Sequence, residues 1–175
     1  MLSVSASTGF APCPAPFNLA AHVLGRAADL GDKTALAIVG PDRVEAWRFD
    51  QLEAAVRGTA TGLLGIGLRP GDIVLMRLGN TVDFPLAYLG ALAAGLVPVP
   101  TAAALTKPEV AAIIATLAPK AILRDPAVPC PPNDTTVDLA QLRSMRDLPA
   151  APWHMGDPDR LGYIIYTSGT SGRPS

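Results

Sequence analysis

The chain has 175 residues, 49% of them apolar and 17% charged, with 14 basic against 15 acidic side chains and a net charge of −1. One domain with a sizeable core is the natural reading at this length. The balanced charge and the lack of a basic run argue against nucleic acid or an anionic membrane as a partner. Cys13 and Cys130 lie far apart without metal-ligand spacing, which reads as reduced thiols in a cytoplasmic protein, not a disulfide framework or a zinc site.

Residues 1–17 have neither a basic n-region nor a sustained apolar run. They read as an extended N-terminal arm and not as a secretory signal. Asn18 is a good N-cap, and Leu19, Val23, Leu24, Ala27 and Leu30 then recur at helical spacing, so one helix is predicted up to Gly31-Asp32. Residues 34–39 and 44–49 read as the two strands of a β-hairpin about Gly40-Pro41-Asp42. Asp50 is predicted to cap a second helix with Leu52, Ala55, Val56, Ala60, Leu63 and Leu64 on one face, ended by Gly65 and Gly67.

Arg69-Pro70-Gly71-Asp72 turns the chain into a strand over 73–78, a helix follows over 81–94, and Gly95 leads to a short strand over 96–99. Residues 84–106 carry no charge, which is long enough to span a bilayer. Pro85, Pro98 and Pro100 interrupt the run, so a helix and a strand covered on both faces explain it better, and no membrane span is expected. Thr106 and Glu109 form a capping box for a fourth helix with Val110, Ile113, Ile114 and Leu117 as its buried stripe, and 121–123 is the next strand. Strands alternating with helices after Asp50 predict an α/β fold, with layered helices around a largely parallel sheet and the hairpin near the N-terminus.

Pro126, Pro129, Pro131 and Pro132 exclude helix and central strand from 125–134, which is read as a surface connection. Asp138 and Gln141 are expected to cap a short helix to Ser144, and 149–158 is read as irregular. His22 and His154 have no partner at zinc or triad spacing. Lys33, Lys107 and Lys120 read as solvated groups, and Trp47 and Trp153 as core or cover residues.

The last stretch carries the chemistry. Gly162-Tyr163-Ile164-Ile165 is predicted as a strand, and it runs into Tyr166-Thr167-Ser168-Gly169-Thr170-Ser171-Gly172-Arg173-Pro174-Ser175. Gly169 and Gly172 permit close backbone approach to a ligand, and successive N–H groups in such a loop form an anion-binding nest. Thr167, Ser168, Thr170 and Ser171 add hydroxyl donors, and Arg173 adds a fixed charge suited to phosphate. On its own such a cluster is more often a plain flexible loop. A Walker loop is excluded because no lysine follows Lys120, and a nucleophile elbow because position 173 is arginine where glycine is needed.

Residues 166–174 resemble the phosphate-loop motif of the adenylate-forming superfamily, which includes acyl-CoA synthetases, firefly luciferase and the adenylation domains of nonribosomal peptide synthetases. Arg69-Pro70-Gly71-Asp72-Ile73-Val74-Leu75 is similar to the turn and strand after the family's first long helix, and 80–100, with Leu92-Ala93-Ala94-Gly95-Leu96-Val97-Pro98-Val99-Pro100, to its next helix and buried strand. The resemblance covers residues 17–174 and departs at Ser175, where the family usually has lysine. Family members also run several times longer, and their downstream part holds the adenine, ribose and acid sites and a mobile domain with the catalytic lysine.

The resemblance implies that 18–175 is an N-terminal subdomain of an acyl-adenylating domain, cut at its phosphate loop, with no catalytic residue and no metal site of its own. It implies an AMP-forming acid–thiol ligase: a carboxylic acid and ATP give acyl-adenylate and pyrophosphate, and coenzyme A then takes the acyl group. ATP, Mg2+ and coenzyme A belong to the full-length enzyme, with fatty acid metabolism as the setting. Thr167, Ser168, Gly169, Thr170, Ser171, Gly172 and Arg173 would hold the β- and γ-phosphates. The isolated chain is expected to show no turnover. A second reading is a naturally short, non-catalytic module that pairs with a separate remainder or forms a homodimer through an exposed apolar face.

Overall fold

The computed structural model describes residues 11–166. Asn18 opens α1 (Leu19–Leu24): its Oδ1 accepts the N–H of Ala21 at 3.1 Å, and its Nδ2 donates to the carbonyls of Leu92 and His154. One side chain thus caps a helix and ties it to two distant segments. The helix predicted to run on to Leu30 is broken at Gly25, and α2 (Ala27–Leu30) is a separate turn. The Gly25 N–H reaches the carbonyl of His22, three residues back, which tightens and ends α1.

Strands β1 (Thr34–Val39) and β2 (Val44–Arg48) form the expected antiparallel hairpin. Leu36, Ile38 and Trp47 lean on the main core, and Val39 and Val44 stand exposed at the tip. Helix α3 (Phe49–Gly65) begins two residues earlier than an Asp50 cap would place it. Arg48 is the N-cap, its N–H donates to Gln51 Oε1, and Asp50 lies in the first turn, where its carboxylate accepts the Gln51 N–H. A carboxylate there opposes the positive end of the helix dipole.

A second sheet is parallel throughout. Its strands are β3 (Ile73–Arg77), β4 (Val97–Pro100), β5 (Ala121–Arg124) and β6 (Thr136–Asp138), in the order β4-β3-β5-β6. Helix α4 (Asp83–Ala93) connects β3 to β4, and α5 (Lys107–Leu117) connects β4 to β5. The Thr106–Glu109 cap is present, with the Thr106 N–H donating to Glu109 Oε2 at 2.7 Å. Strand β6 was not foreseen; it is only three residues long and leads into α6 (Leu139–Ser144), capped by Asp138 as expected.

Alternation along the strands sorts the two faces. Val74, Met76, Ala121 and Leu123 pack with α3, α4 and α6, while Leu75, Val99 and Ile122 pack with Val110 and Ile113 of α5. The connection over 125–134 is irregular, as its prolines require, but it is not all surface. Val128 and Cys130 are buried, Cys130 in the cluster with Val110 and Ile113 on the α5 side of the core.

The strand predicted over 162–165 does not form a ladder. Ile164 donates its N–H to Pro98 O at 3.1 Å, and residues 161–166 are otherwise irregular. The reason lies in β4. In a parallel pair, alternate residues face the same neighbour; Val97 donates its N–H to Asp72 O on the β3 side, so Pro98 and Pro100 face outward. Neither has an N–H to give. The outer edge of β4 accepts hydrogen bonds but returns none.

Helix α3 meets the turn over 145–148 through its glycines. A Cβ on Gly58 would lie 2.5 Å from the Arg146 carbonyl oxygen, and one on Gly62 would overlap the Met145 side chain. Helix propensity alone favours alanine over glycine by about 1 kcal/mol. The backbone clash outweighs this, so Gly58→Ala is expected to destabilise the fold by about 1–3 kcal/mol. Urea unfolding of the variant checks it; a raised midpoint would show that the turn yields freely.

Candidate functional site

The C-terminal ends of β3 and β4 open into a cleft of about 430 Å³, lined by Leu78, Asn80, Phe84, Thr101, Ala103 and Tyr166 among others. In open parallel sheets, ligands bind in the crevice outside the carboxyl ends of the strands. Tyr166 is the last described residue, and the predicted phosphate-loop residues Thr167, Ser168, Gly169, Thr170, Ser171, Gly172 and Arg173 lie outside the described residues. The described part of the site is therefore the cleft that the chain lines as it enters the loop.

Each wall of the cleft rests on a buried charged residue. Behind the first wall is Arg77, the last residue of β3, with its side chain fully enclosed. Its Nε donates to Pro129 O at 3.1 Å, Nη1 to Ala102 O at 2.7 Å and Thr101 Oγ1 at 3.0 Å, and Nη2 to Pro129 O, Leu105 O and Ala103 O. Thr101 in turn donates to Met76 O at 2.7 Å. Burial lowers the guanidinium pKa from its ordinary value, with the neighbouring Cys130 opposing the shift.

Behind the second wall is Asp83, 1% exposed at the start of α4. Its carboxylate accepts from Arg143 Nε at 3.0 Å and Nη2 at 2.8 Å, from Thr81 Oγ1 at 2.9 Å, and from Arg146. Burial pushes this carboxyl pKa up, but the hydrogen bonds from Arg143 and Thr81 and the charges of Arg146 and Arg143 outweigh it and hold the group below its usual range. The cluster fixes the segment between β3 and α4, from which Gly79 and Asn80 line the cleft.

Phe84 stacks on Tyr88 at 6.4 Å, and Tyr88 meets Tyr163 edge-on at 6.1 Å, an aromatic row that runs along α4 to the terminal segment. Burial, then Tyr163, raises the Tyr88 pKa. The remaining polar residues weighed in the sequence stand apart from the cleft. Lys33, Lys107 and Lys120 are exposed, His154 packs on Gly95, and the Trp153 ring lies under the Arg57 guanidinium. Neither Arg77 nor Asp83 was singled out in the sequence. The signal was there: each is a single charge within or beside a long apolar run, and such charges are seldom buried without partners.

Residues 25–175 match the family described as AMP-binding enzyme. The chain belongs to that family. Within the adenylate-forming superfamily it corresponds to the amino-terminal portion. It is 32% identical over 155 residues to the long-chain-fatty-acid–CoA ligase FadD13 of Mycobacterium tuberculosis, covering 79% of this chain and 30% of that protein. It is 31% identical over 133 residues to a probable non-canonical nonribosomal peptide synthetase, CymA, of Salinispora arenicola, covering 76% of this chain but 2% of the synthetase. The chain thus spans less than a third of these relatives.

Among solved structures, the inhibitor-bound N-terminal domain of FACL13 from Mycobacterium tuberculosis superposes with a TM-score of 0.71 at 25% identity, covering 90% of this chain and 42% of that one. A benzoate CoA ligase from Burkholderia xenovorans gives 0.72 at 23% identity, over 86% of this chain and 32% of that one, and shows the shared fold. The predicted α/β class with its hairpin is the class observed. Among the described residues no helix is long and apolar enough to cross a membrane.

The Asp83 cluster has a definite pH signature. A carboxyl whose folded pKa is depressed adds stability above its unfolded value, about 3.9, and loses it as the pH falls through the folded value. At pH 7, Asp83→Asn is expected to cost about 2–3 kcal/mol, less than the ~3–5 kcal/mol of a fully buried pair because Arg143 is half exposed. The gap between wild type and variant should narrow when urea unfolding is repeated near pH 3. A constant gap would mean that the arginines do not hold the carboxylate ionised.

Proposed function

We propose that this chain, with 18–175 as an N-terminal subdomain, forms part of an ATP-dependent ligase that activates a carboxylic acid as its acyl-adenylate and passes it to coenzyme A. The observation that carries this reading is the cleft at the carboxyl ends of β3 and β4, lined by Tyr166, the first residue of the phosphate-loop motif. Family membership supplies the adenylating chemistry.

In the first step a carboxylate oxygen attacks the α-phosphorus of ATP and the bond to the bridging oxygen of pyrophosphate breaks. The electron pair leaves with pyrophosphate. Such displacements are accelerated chiefly by positioning and charge stabilisation. The hydroxyls of Thr167, Ser168, Thr170 and Ser171 donate to the departing phosphates, and Arg173 adds positive charge. Gly169 and Gly172 let the backbone close on them.

Magnesium bound to the nucleotide would offset phosphate charge. Among the described residues no cluster of three acidic, histidine or cysteine side chains could hold it, so its ligands would come from the nucleotide or from other parts of the protein. In the second step the thiol of coenzyme A attacks the acyl carbonyl, and AMP leaves. Coenzyme A as acceptor is supported by the acyl-CoA ligases among the relatives, and a cytoplasmic setting supplies both ATP and the thiol. The peptide synthetases favour a second acceptor, the thiol of a carrier protein.

The longer protein containing this segment should exchange radiolabelled pyrophosphate into ATP when given an acid from a broad panel. Ser168→Ala with Thr170→Ala should lower that exchange by about 100-fold or more, since each lost hydrogen bond to a charged group is worth roughly 1.5–3 kcal/mol. Residues 1–175 alone should show no turnover. Exchange that survives the double substitution would remove the loop from the reaction, and thioester formed with a carrier protein but not with coenzyme A would select the second acceptor.

A further inference from the structure

The loop that joins β4 to α5 forms one wall of the cleft, yet little regular structure holds it. Leu105 N–H donates to Ala102 O at 3.1 Å, which closes a single turn. Thr101 is also anchored to Met76 O, and the remaining fixed points are the contacts with Arg77, whose five N–H groups are all used on Pro129, Thr101, Ala102, Ala103 and Leu105. Thr101, Ala102 and Ala103 line the cleft, and Arg77 does not. The same backbone thus shows one side to the cleft and gives its carbonyls to a guanidinium behind it.

Among the described residues no carboxylate pairs with Arg77. This separates it from an ordinary buried ion pair. A carboxylate would satisfy two or three of the N–H groups and leave the loop carbonyls to water. Here the planar fork is spent on main-chain oxygens and the Thr101 hydroxyl, from two separate connections, 101–105 and 129. Lysine carries the same charge, but three donors on one nitrogen cannot span acceptors laid out around a planar guanidinium.

We propose that Arg77 is a positioning residue that sets the shape of the substrate cleft by holding the 101–105 wall from behind. This rests on the proposed ligase reading in its kinetic consequence, but its structural consequence does not. Ground-state binding in the cleft depends on the wall, whereas the phosphate chemistry belongs to the loop that follows Tyr166. A loosened wall therefore weakens substrate binding more than turnover.

Two measurements on Arg77→Lys test it. In hydrogen exchange followed peptide by peptide, protection of the Leu105 amide should fall about tenfold or more, while the Val97 and Ile122 amides within the sheet keep theirs. In the full-length ligase, KM for the acid or for ATP should rise about tenfold with kcat changed less than threefold. A uniform loss of protection across the sheet would overturn the proposal, since Arg77 would then serve general stability. Unchanged KM values in an active variant, or unchanged protection at Leu105, would overturn it as well. If Arg77→Lys does not fold, Thr101→Val removes one acceptor of Arg77 together with the Thr101–Met76 bond and should give a smaller loss at the same amide; no loss there overturns the proposal. A wild-type protein without pyrophosphate exchange would overturn the ligase reading, and the exchange pattern at Leu105 would still decide the role of Arg77 in the wall.

Discussion

A guanidinium that pairs with no carboxylate among the described residues, at the end of the central strand, constrains much of what surrounds it. Desolvating a charged group costs several kcal/mol after relaxation, and Arg77 meets that cost entirely from carbonyl and hydroxyl oxygens. Each hydrogen bond to a charged group contributes roughly 1.5–3 kcal/mol, so a full set is needed and few can be lost. The connections after β4 and β5 must therefore hold one conformation around it. Proline enrichment over 126–132 follows the same logic: a connection that must stay still loses less entropy on folding if its unfolded states are already few.

The other wall is built on the opposite sign with the opposite economy. Asp83 is the buried member and the arginines are supplied from α6 and the turn after it, one of them half exposed. Two cations around one carboxylate secure the start of α4 to an element some sixty residues further on. The close approach that this needs is provided by Gly58 and Gly62, because the turn carrying Arg146 rests directly on α3 at those positions. Packing at α3 and electrostatics at Asp83 are consequently one arrangement: crowding the glycines would move the arginine away from its carboxylate.

Much of this fold is legible from pattern alone, and the failures share a cause. The hairpin, the parallel sheet, the Asn18, Thr106 and Asp138 caps, and the faces of α3 and α5 follow from local chemistry and periodicity. The break at Gly25 and the Arg48 cap shift boundaries by local competition between neighbours. Strand β6 and the missing ladder over 161–166 depend instead on what lies across the sheet. A three-residue strand has no period to read, and an apolar run of strand formers stays unpaired when its neighbour presents proline nitrogens. Arg77 and Asp83 were hidden for a related reason. A charge reads as surface until its partners are known, and those partners are main-chain carbonyls or arginines far along the chain.

The acceptor-only edge of β4 bears on how the cleft and the segment over 161–166 relate. A full ladder between β4 and 161–166 would make the terminal segment an integral strand and set the position of everything after it. A single bond at Ile164 gives one anchor, with Ile164 and Tyr166 packed inward against the α5-side core and Leu161, Tyr163 and Ile165 facing out. The direction of the segment is thereby set by side-chain packing more than by backbone pairing. Packing of two residues tolerates small shifts that a ladder would forbid. The walls of the cleft, by contrast, are fixed by buried charges that tolerate none. The frame of the cleft is thus built before any ligand meets it, while its last described side rests on the packing of Ile164 and Tyr166.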